Sequence, residues 1–290
     1  MTRSDTCTHC GNCIPLSEVR CPHCGQPGLF PNVRAANRAE EREALNKRYE
    51  EALQHAAFRG SERALKEFEA AVSDSRAVIG RSLLEADRLA SSDKELYASF
   101  YKLREAGVRL PSGTKWDALR AVTDEAMFPG YKEHMRFAAL SLDGSGLSNY
   151  GECFLVLRDD MIAHRASVFE ENSVLFMGRH NIPMSEADNL PVGYRSVWEE
   201  RGKLVIAKLA GKIGPNMRGD AFQVILLREC ASSEDDSFVE VHIWGPMTGR
   251  TFGRVVVSRP KQRAGRAILR ALGEKLAKVG VTVDTIAEVA

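Results

Sequence analysis

The stretches Cys7-Thr-His-Cys10-Gly11 and Cys21-Pro-His-Cys24-Gly25 set the structure of the N-terminal end of this chain. Each stretch separates two thiols by two residues, so one tight turn can aim both sulfur atoms at one metal ion. The glycine after each pair accepts the backbone angles that close such a turn. We therefore predict a zinc ribbon over residues 1–30, in which the ion supplies folding energy that so short a segment lacks. The predicted zinc ligands are Cys7, Cys10, Cys21 and Cys24.

A fifth cysteine leaves the pairing of the ligands open, because Cys10 and Cys13 are also two residues apart. We favour Cys7 with Cys10, since Gly11 then occupies the position that Gly25 occupies in the second pair. A redox-active or disulfide-bonded cluster is the alternative interpretation. Thiolates held on zinc suit a reducing compartment better than a disulfide framework does.

The bulk composition is ordinary for a globular protein. The 290 residues suffice for two domains with a small appendage. Hydrophobic residues make up 44% and charged residues 27% of the chain, and the formal net charge is +1. The whole molecule is therefore not a polyelectrolyte built for nucleic acid, which leaves room for a local basic patch. The sequence shows neither a signal peptide nor an apolar run approaching about eighteen residues, so we expect a cytoplasmic protein without membrane association.

Residues 31–108 are rich in Ala, Glu, Arg, Lys and Leu and nearly free of Gly and Pro. Apolar residues recur there at helical spacing, with stripes at Leu45, Tyr49, Leu53 and Ala56, at Leu65, Phe68 and Val72, and at Ile79, Leu83, Ala86 and Leu89. A capping box at residues 92–95 predicts another helix that ends near Gly107. We predict a helical hairpin or short coiled coil that acts as a spacer or forms a homo-oligomer. A solvated helical linker is the alternative.

Residues 109–290 have the texture of an α+β domain with antiparallel strands. Helices are predicted from Thr114, over residues 195–209, and in the last segment through Ile268, Leu272 and Leu276. Strands are predicted over residues 137–142, 153–157, 162–169, 173–177 and 251–257. Residues 221–228 and 238–244 are predicted to form an antiparallel hairpin around the acidic loop 232–236.

The strand at residues 238–244 alternates in character. Val239, Val241 and Ile243 point to one side, and Phe238, Glu240, His242 and Trp244 to the other. The first set is typical of a core. A face that presents a carboxylate and an imidazole between two aromatic rings is a candidate for chemistry, and a solvated outer face of an edge strand is the alternative.

A second group of polar residues lies after the predicted strand that runs from Tyr150-Gly151 to Val156-Leu157. It comprises His164 to Ser167 and Glu170 to Ser173. A buried Arg165 needs an anionic partner, and arginine is well suited to grip phosphate. A structural role for Arg165 is equally open, with Asp159, Asp160, Glu170 or Glu171 as its partner.

Taken together, these motifs resemble the ADP-ribosyltransferase-like domains of bacterial polymorphic toxins and phage-associated effectors. In that family a Tyr-Gly strand precedes an Arg with Ser or Thr, an Asp-Ser or Asn-Ser pair, and Glu-x-Gln before a Gly. The matching positions here are Tyr150-Gly151, Arg165 to Ser167, Asn172-Ser173 and Glu240 to Gly245. The scattered likeness extends from Tyr150 to Val257.

The resemblance implies transfer of ADP-ribose from NAD to a macromolecule. Cleavage of the nicotinamide–ribose bond builds an oxocarbenium-like centre, which a carboxylate stabilises as in glycoside hydrolysis. Glu240 would be that carboxylate, Arg165 would hold a phosphate or ribose, and Tyr150 or Trp244 would stack on nicotinamide. The implied catalytic residues are Glu240, Arg165 and Tyr150. The implied NAD-binding residues are Arg165, Ser167, Ser173, His242 and Trp244.

Two positions depart from the family pattern and widen the functional alternatives. His242 stands where the family has Gln, and Phe238 stands where many transferases have Glu or Gln, so arginine is disfavoured as the acceptor. Another acceptor, NAD hydrolysis and an inactive fold stay open.

A non-enzymatic adaptor is the competing class, in which the ribbon and the basic residues between Arg259 and Arg270 bind nucleic acid or protein. A scaffold that oligomerises through residues 31–108 is the third.

Overall fold

The computed structural model describes residues 4–92, 94–97, 101, 115–182, 190–231 and 236–286, and for residues 4 and 115–118 it describes the backbone alone. The described chain combines α-helices with a mostly antiparallel sheet, which confirms the α+β class. No helix in these ranges is long and apolar enough to span a bilayer.

The described residues form ten strands in two sheets. The strands are β1 (Ser4–Thr6), β2 (Cys13–Pro15), β3 (Arg76–Arg81), β4 (Met135–Ser141), β5 (Cys153–Leu157), β6 (Ala166–Phe169), β7 (Arg195–Val197), β8 (Glu240–Trp244), β9 (Phe252–Ser258) and β10 (Thr282–Ile286). β1 and β2 pair with each other in the N-terminal segment. The others form an eight-stranded sheet in the order β10-β9-β5-β3-β4-β8-β6-β7, in which β10 and β9 are parallel and every other pair is antiparallel.

Helices cover both faces of this sheet. They are α1 (Pro31–Ala36), α2 (Ala39–Phe58), α3 (Glu62–Ser73), α4 (Leu83–Leu89), α5 (Lys115–Met127), α6 (Asp159–Ile162), α7 (Ser173–Arg179), α8 (Arg201–Leu209), α9 (Asp220–Leu226) and α10 (Arg263–Ala277). The main core lies on one face, where alternate strand residues such as Ile79, Leu140 and Val241 pack against α2, α3, α4, α8, α9 and α10. A second cluster on the opposite face joins α5 and α7 to Met135 and Phe169.

Three predicted elements are wrong. Residues 76–81, predicted to continue a helix, form β3, which lies in the middle of the sheet between β5 and β4. Residues 173–177 belong to helix α7 instead of a strand, and Asn172 caps that helix by accepting from Val174 N and Leu175 N. Residues 221–226 are helical too, so β8 pairs with β4 and β6 and not with the predicted hairpin partner. Short apolar runs suit a buried helix turn as well as a strand, which explains these errors.

The longer predictions agree better with the structure. The strands predicted at residues 137–142, 153–157 and 251–257 correspond to β4, β5 and β9, and the last helix corresponds to α10. In the predicted helix at residues 195–209, β7 takes the first three residues and α8 begins at Arg201. The segment predicted as strand at 162–169 is extended only in β6. The helix predicted after residue 92 lies largely outside the described residues.

Candidate functional site

Four cysteine sulfur atoms meet in the N-terminal segment. The Sγ atoms of Cys7, Cys10, Cys21 and Cys24 all lie within 4.8 Å of one another. Cys7 Sγ lies 3.8 Å from Cys24 Sγ, and Cys10 Sγ lies 3.6 Å from Cys21 Sγ. A tetrahedral ion with metal–sulfur bonds of about 2.3 Å requires sulfur–sulfur edges of about 3.8 Å. The four thiols therefore fit a structural metal ion.

The turns around these cysteines have the geometry that the sequence predicts. Gly11 and Gly25 have φ angles of 72° and 69°, which favour glycine. Their N–H groups donate to the carbonyl oxygens of Cys7 and Cys21 and close the two turns. Cys13 lies on β2 and is not part of the four-sulfur group, so the structure brings together the favoured pairing.

A cavity of about 360 Å³ opens on the sheet face opposite the main core. β3, β4 and β8 contribute to its wall, together with α5 and the segment 146–150. Small residues make room for it, among them Gly80 on β3 and Ala139 on β4. Its volume falls in the range of about 300–1,000 Å³ that is typical of small-molecule sites. The polar side chains around it include Arg81, Arg120, Asp124, Asn149, Tyr150 and Glu240.

Glu240 is the carboxylate of this cavity that β8 positions. β8 is an interior strand, and Glu240 lies opposite Ala139 on β4 and Phe169 on β6. Only 2% of its surface is exposed. The alternative of a solvated edge strand is therefore wrong, although Phe238, Glu240 and His242 do lie opposite the core residues, as predicted.

Both carboxylate oxygens of Glu240 accept hydrogen bonds. Arg120 donates from Nη1 and Nη2 to Oε1, each at 3.2 Å. Oε2 accepts from Ser173 N at 3.2 Å and from His242 Nε2 at 3.0 Å. Burial opposes ionisation, but the charge of Arg120 and the bond from His242 outweigh it and lower the pKa of Glu240 to about 2. Glu240 is thus ionised at neutral pH.

A second buried carboxylate lies beside the first. Asp124, one helical turn after Arg120 on α5, accepts from Arg120 Nε at 3.2 Å and from the Tyr101 hydroxyl at 2.6 Å. Both bonds go to Oδ2, and Oδ1 accepts no hydrogen bond from the described part of the chain. Burial raises the pKa of Asp124. Arg120 therefore serves two carboxylates and also lies 4.0 Å above the ring of Phe137.

Tyr150 lies at the rim of the cavity and is 40% exposed. The turn that carries it is held by two carboxylates, since Glu229 accepts from the backbone N–H groups of Ser148 and Asn149, and Asp236 accepts from the Asn149 side chain. Desolvation and the negative charge of Glu240 raise the pKa of Tyr150 to about 12, which keeps its hydroxyl protonated.

Arg165 does not line this cavity. Its Nε donates to Met161 O at 2.9 Å, and its Nη1 donates to Trp244 O at 2.7 Å and Pro246 O at 2.9 Å. These partners are main-chain carbonyls and not the acidic side chains that the sequence suggests. Arg165 therefore ties the end of β8 to α6.

The other predicted NAD-binding residues lie around β8 in different surroundings. Ser173 reaches Glu240 through its backbone N–H, and its Oγ accepts or donates no hydrogen bond within the described residues. Ser167 Oγ accepts from the side chain of Asn32 at 3.1 Å. Trp244 stacks on His134 at 4.9 Å between ring centroids and is absent from the cavity wall. Of the predicted site residues, Tyr150 and Glu240 lie in the cavity wall, and the others do not: Arg165, Ser167, Ser173, His242 and Trp244.

Sequence reasoning missed the residues of α5 that hold Glu240. Arg120 and Asp124 are four residues apart, so one helix face presents both toward the sheet. The i,i+4 spacing of opposite charges is visible in the sequence, but it is also common on solvated helices. Their burial depends on strands more than a hundred residues away, which the spacing does not encode.

Comparison with known proteins adds no identification. No protein-family model matches the chain, and no curated protein matches it.

Proposed function

We propose that the cavity binds NAD and that Glu240 supports cleavage of the nicotinamide–ribose bond. In this proposal the protein is an effector that acts as an NAD glycohydrolase or as an ADP-ribosyltransferase. The observation that carries this proposal is the shared position of Glu240 and Tyr150 in one cavity of about 360 Å³. An ionised carboxylate in the wall of such a cavity is suited to stabilise an oxocarbenium-like centre. In this proposal Tyr150, at the rim, stacks on a planar base.

The proposal assigns the phosphate contact to Arg81 in place of Arg165. Arg81 ends β3, lines the cavity, and keeps 27% of its side chain exposed. Its guanidinium lies 4.6 Å above the Tyr97 ring, a contact that orients the group. Arg165 satisfies three carbonyls and is not in the cavity wall, so it has no place in the proposed ligand set.

Zinc is the proposed ion of the four-cysteine site. Four thiolates in a tetrahedral arrangement suit zinc, and such sites are structural. A ligand set of free thiols suits a reducing compartment, and we place the protein in the cytoplasm on that basis. Zinc supplies no chemistry to the cavity in this proposal, since the cavity wall contains none of the four cysteines.

The test is release of nicotinamide from NAD by the purified full-length protein. We expect the wild type to consume NAD, and Glu240→Gln to lower the rate by about a hundredfold or more, the usual scale for loss of one transition-state contact. Glu41→Gln is the matched control, because Glu41 is another buried glutamate, 3% exposed and paired with Arg195, and does not line the cavity.

The outcomes are distinct. NAD consumption by wild type and Glu41→Gln with loss in Glu240→Gln supports the enzyme. Absence of NAD consumption by the wild type, or equal rates for the wild type and Glu240→Gln, overturns it.

A further inference from the structure

Helix α1 joins the cysteine-bearing segment to the rest of the molecule through Arg34. Its guanidinium donates to Asp5 Oδ2 at 2.9 Å, to Glu18 O at 2.6 Å, to Leu29 O at 2.9 Å, to Pro15 O at 3.0 Å and to Leu16 O at 3.1 Å. A guanidinium has five N–H donors, so each one has a partner. All these acceptors belong to the N-terminal segment, so the position of α1 depends on the position of that segment.

Two residues earlier, Asn32 faces the opposite way and contacts the large sheet. Its Nδ2 lies 3.1 Å from Arg165 O, 3.1 Å from Ser167 Oγ and 3.0 Å from His242 O. Ser167 and His242 are directly opposite each other in the pairing of β6 with β8. Asn32 is 2% exposed, so these bonds form away from water, where they are strongest.

His242 is the link from Asn32 to the cavity. Its backbone carbonyl accepts from Asn32, and its Nε2 donates to Glu240 at 3.0 Å. Its ring is packed edge-on against Phe128 at 4.8 Å, in the cluster on which Leu16 of the cysteine-bearing segment also packs. The segment thus contacts the surroundings of His242 both through α1 and directly.

We propose that Asn32 is a positioning residue for His242 and Glu240, through which metal binding at the four cysteines sets the geometry of the cavity carboxylate. The cysteine-bearing segment has a core of Cys7, Ile14 and Cys21 in the described structure, too small to hold its fold without an ion. When the ion is removed, the carbonyls that Arg34 engages lose their fixed positions. Helix α1 then shifts with these carbonyls, and Asn32 transmits the shift to His242.

The test observes the imidazole of His242 directly and needs no turnover, so it is independent of NAD chemistry. The full-length protein is labelled with nitrogen-15 at its seven histidines, and the His242 signals are identified by their loss in His242→Gln. Spectra are recorded with Zn²⁺, after its removal by EDTA, and after Zn²⁺ is restored. Circular dichroism follows the overall fold, and thiol titration follows release of the ion.

Asn32→Asp keeps the shape of the side chain but removes both donors and places a carboxylate among three oxygen atoms. We expect EDTA to shift the His242 signals of the wild type reversibly. Asn32→Asp should show shifted signals with Zn²⁺ bound and should respond less to EDTA than the wild type. Asn46→Asp, the same change at an exposed position, should behave as the wild type.

A second variant covers the case in which Asn32→Asp does not fold. Arg34→Lys leaves Asn32 intact but cannot engage five acceptors with one ammonium group. We expect it to shift the His242 signals in the same direction as EDTA. The proposal is overturned if EDTA releases the ion without moving the His242 signals. It is overturned equally if a folded Asn32→Asp or Arg34→Lys keeps the wild-type signals.

Discussion

Glu240 and Asp124 show how one cation divides its effect between two buried carboxylates. Arg120 contacts both of them, but Glu240 also accepts from Ser173 N and His242 Nε2. Each added donor favours the charged form, and so the pKa of Glu240 is lowered while burial raises that of Asp124. Glu240 is therefore a charged group in the cavity wall.

Acid unfolding reports this charge. The folded pKa of Glu240 is about 2, below the ordinary 4.5, so its stabilising effect is present above pH 4.5 and is lost as the pH falls toward 2. We expect the free energy of unfolding to fall more steeply across this window in the wild type than in Glu240→Gln. Urea denaturation at a series of pH values measures it.

Glu171 is a control for which the effect of pH on stability should have the opposite sign. Burial raises the pKa of Glu171, so its stabilising effect is present at low pH and is lost as the pH rises. Glu171→Gln should therefore lose stability more steeply than the wild type on acidification. Equal slopes for the wild type and Glu240→Gln would contradict the assigned charge state.

At the scale of elements, the cavity depends on close contact between β3 and the turn that carries Tyr150. A Cβ added to Gly80 would lie 2.9 Å from Tyr150 Cβ, and one added to Gly151 would lie 2.4 Å from Arg81 C and O. Gly151 also has a φ of 132°, which side chains of L-residues rarely adopt. The rim of the cavity therefore requires glycine where β3 ends.

Substitution of this glycine tests the contact. We expect Gly151→Ala to destabilise the protein by at least about 1–3 kcal/mol, the scale of backbone strain, before the clash with β3 is added. Gly273→Ala in α10 is the control, because nothing lies within 4 Å of the added Cβ. It should stabilise the protein by about 0.4–1 kcal/mol. A Gly151→Ala protein as stable as the wild type in urea would show that β3 and the turn are not in contact.

At the scale of the whole molecule, helices α2, α3 and α4 are part of the main core. Leu45 of α2 and Leu65 and Phe68 of α3 are buried in one cluster with Leu204 and Val205 of α8. β3 follows α3 and pairs with β4 and β5. The apolar stripes that the sequence assigns to a coiled coil are thus already covered within the described chain.

This arrangement makes a prediction for the isolated segment. We expect a peptide of residues 32–107 to lack stable structure and to form no defined oligomer, because α2 and α3 lose α8 and β3 loses both neighbours. Circular dichroism and sedimentation of the peptide, compared with the full chain, measure this. A stable helical oligomer of the peptide would instead support the scaffold hypothesis.

Sequence patterns predicted the structure correctly wherever the residues that fix it are close together in the chain. The spacing of Cys7, Cys10, Cys21 and Cys24 with a glycine after each pair predicts the four-sulfur cluster, because the turn geometry lies within a few residues. Alternation along β8 likewise separates Glu240 and His242 from the core residues, because side chains alternate along any strand.

Sequence patterns did not predict the structure wherever it depends on contacts between residues far apart in the chain. The short apolar runs at residues 76–81 and 221–226 suit either helix or strand, and only their neighbours in the folded chain select β3 and α9. The burial of Glu240, its pairing with Arg120 and the exclusion of Arg165 from the cavity depend on which elements pack together.

The cysteine cluster and the division of the β8 side chains between its two faces were therefore determined by the sequence itself. The cavity, and the connection from the cysteine-bearing segment through Asn32 to His242, were decided by the tertiary structure. The physical reason is that buried hydrogen bonds and charges take their energy from partners far apart in the chain.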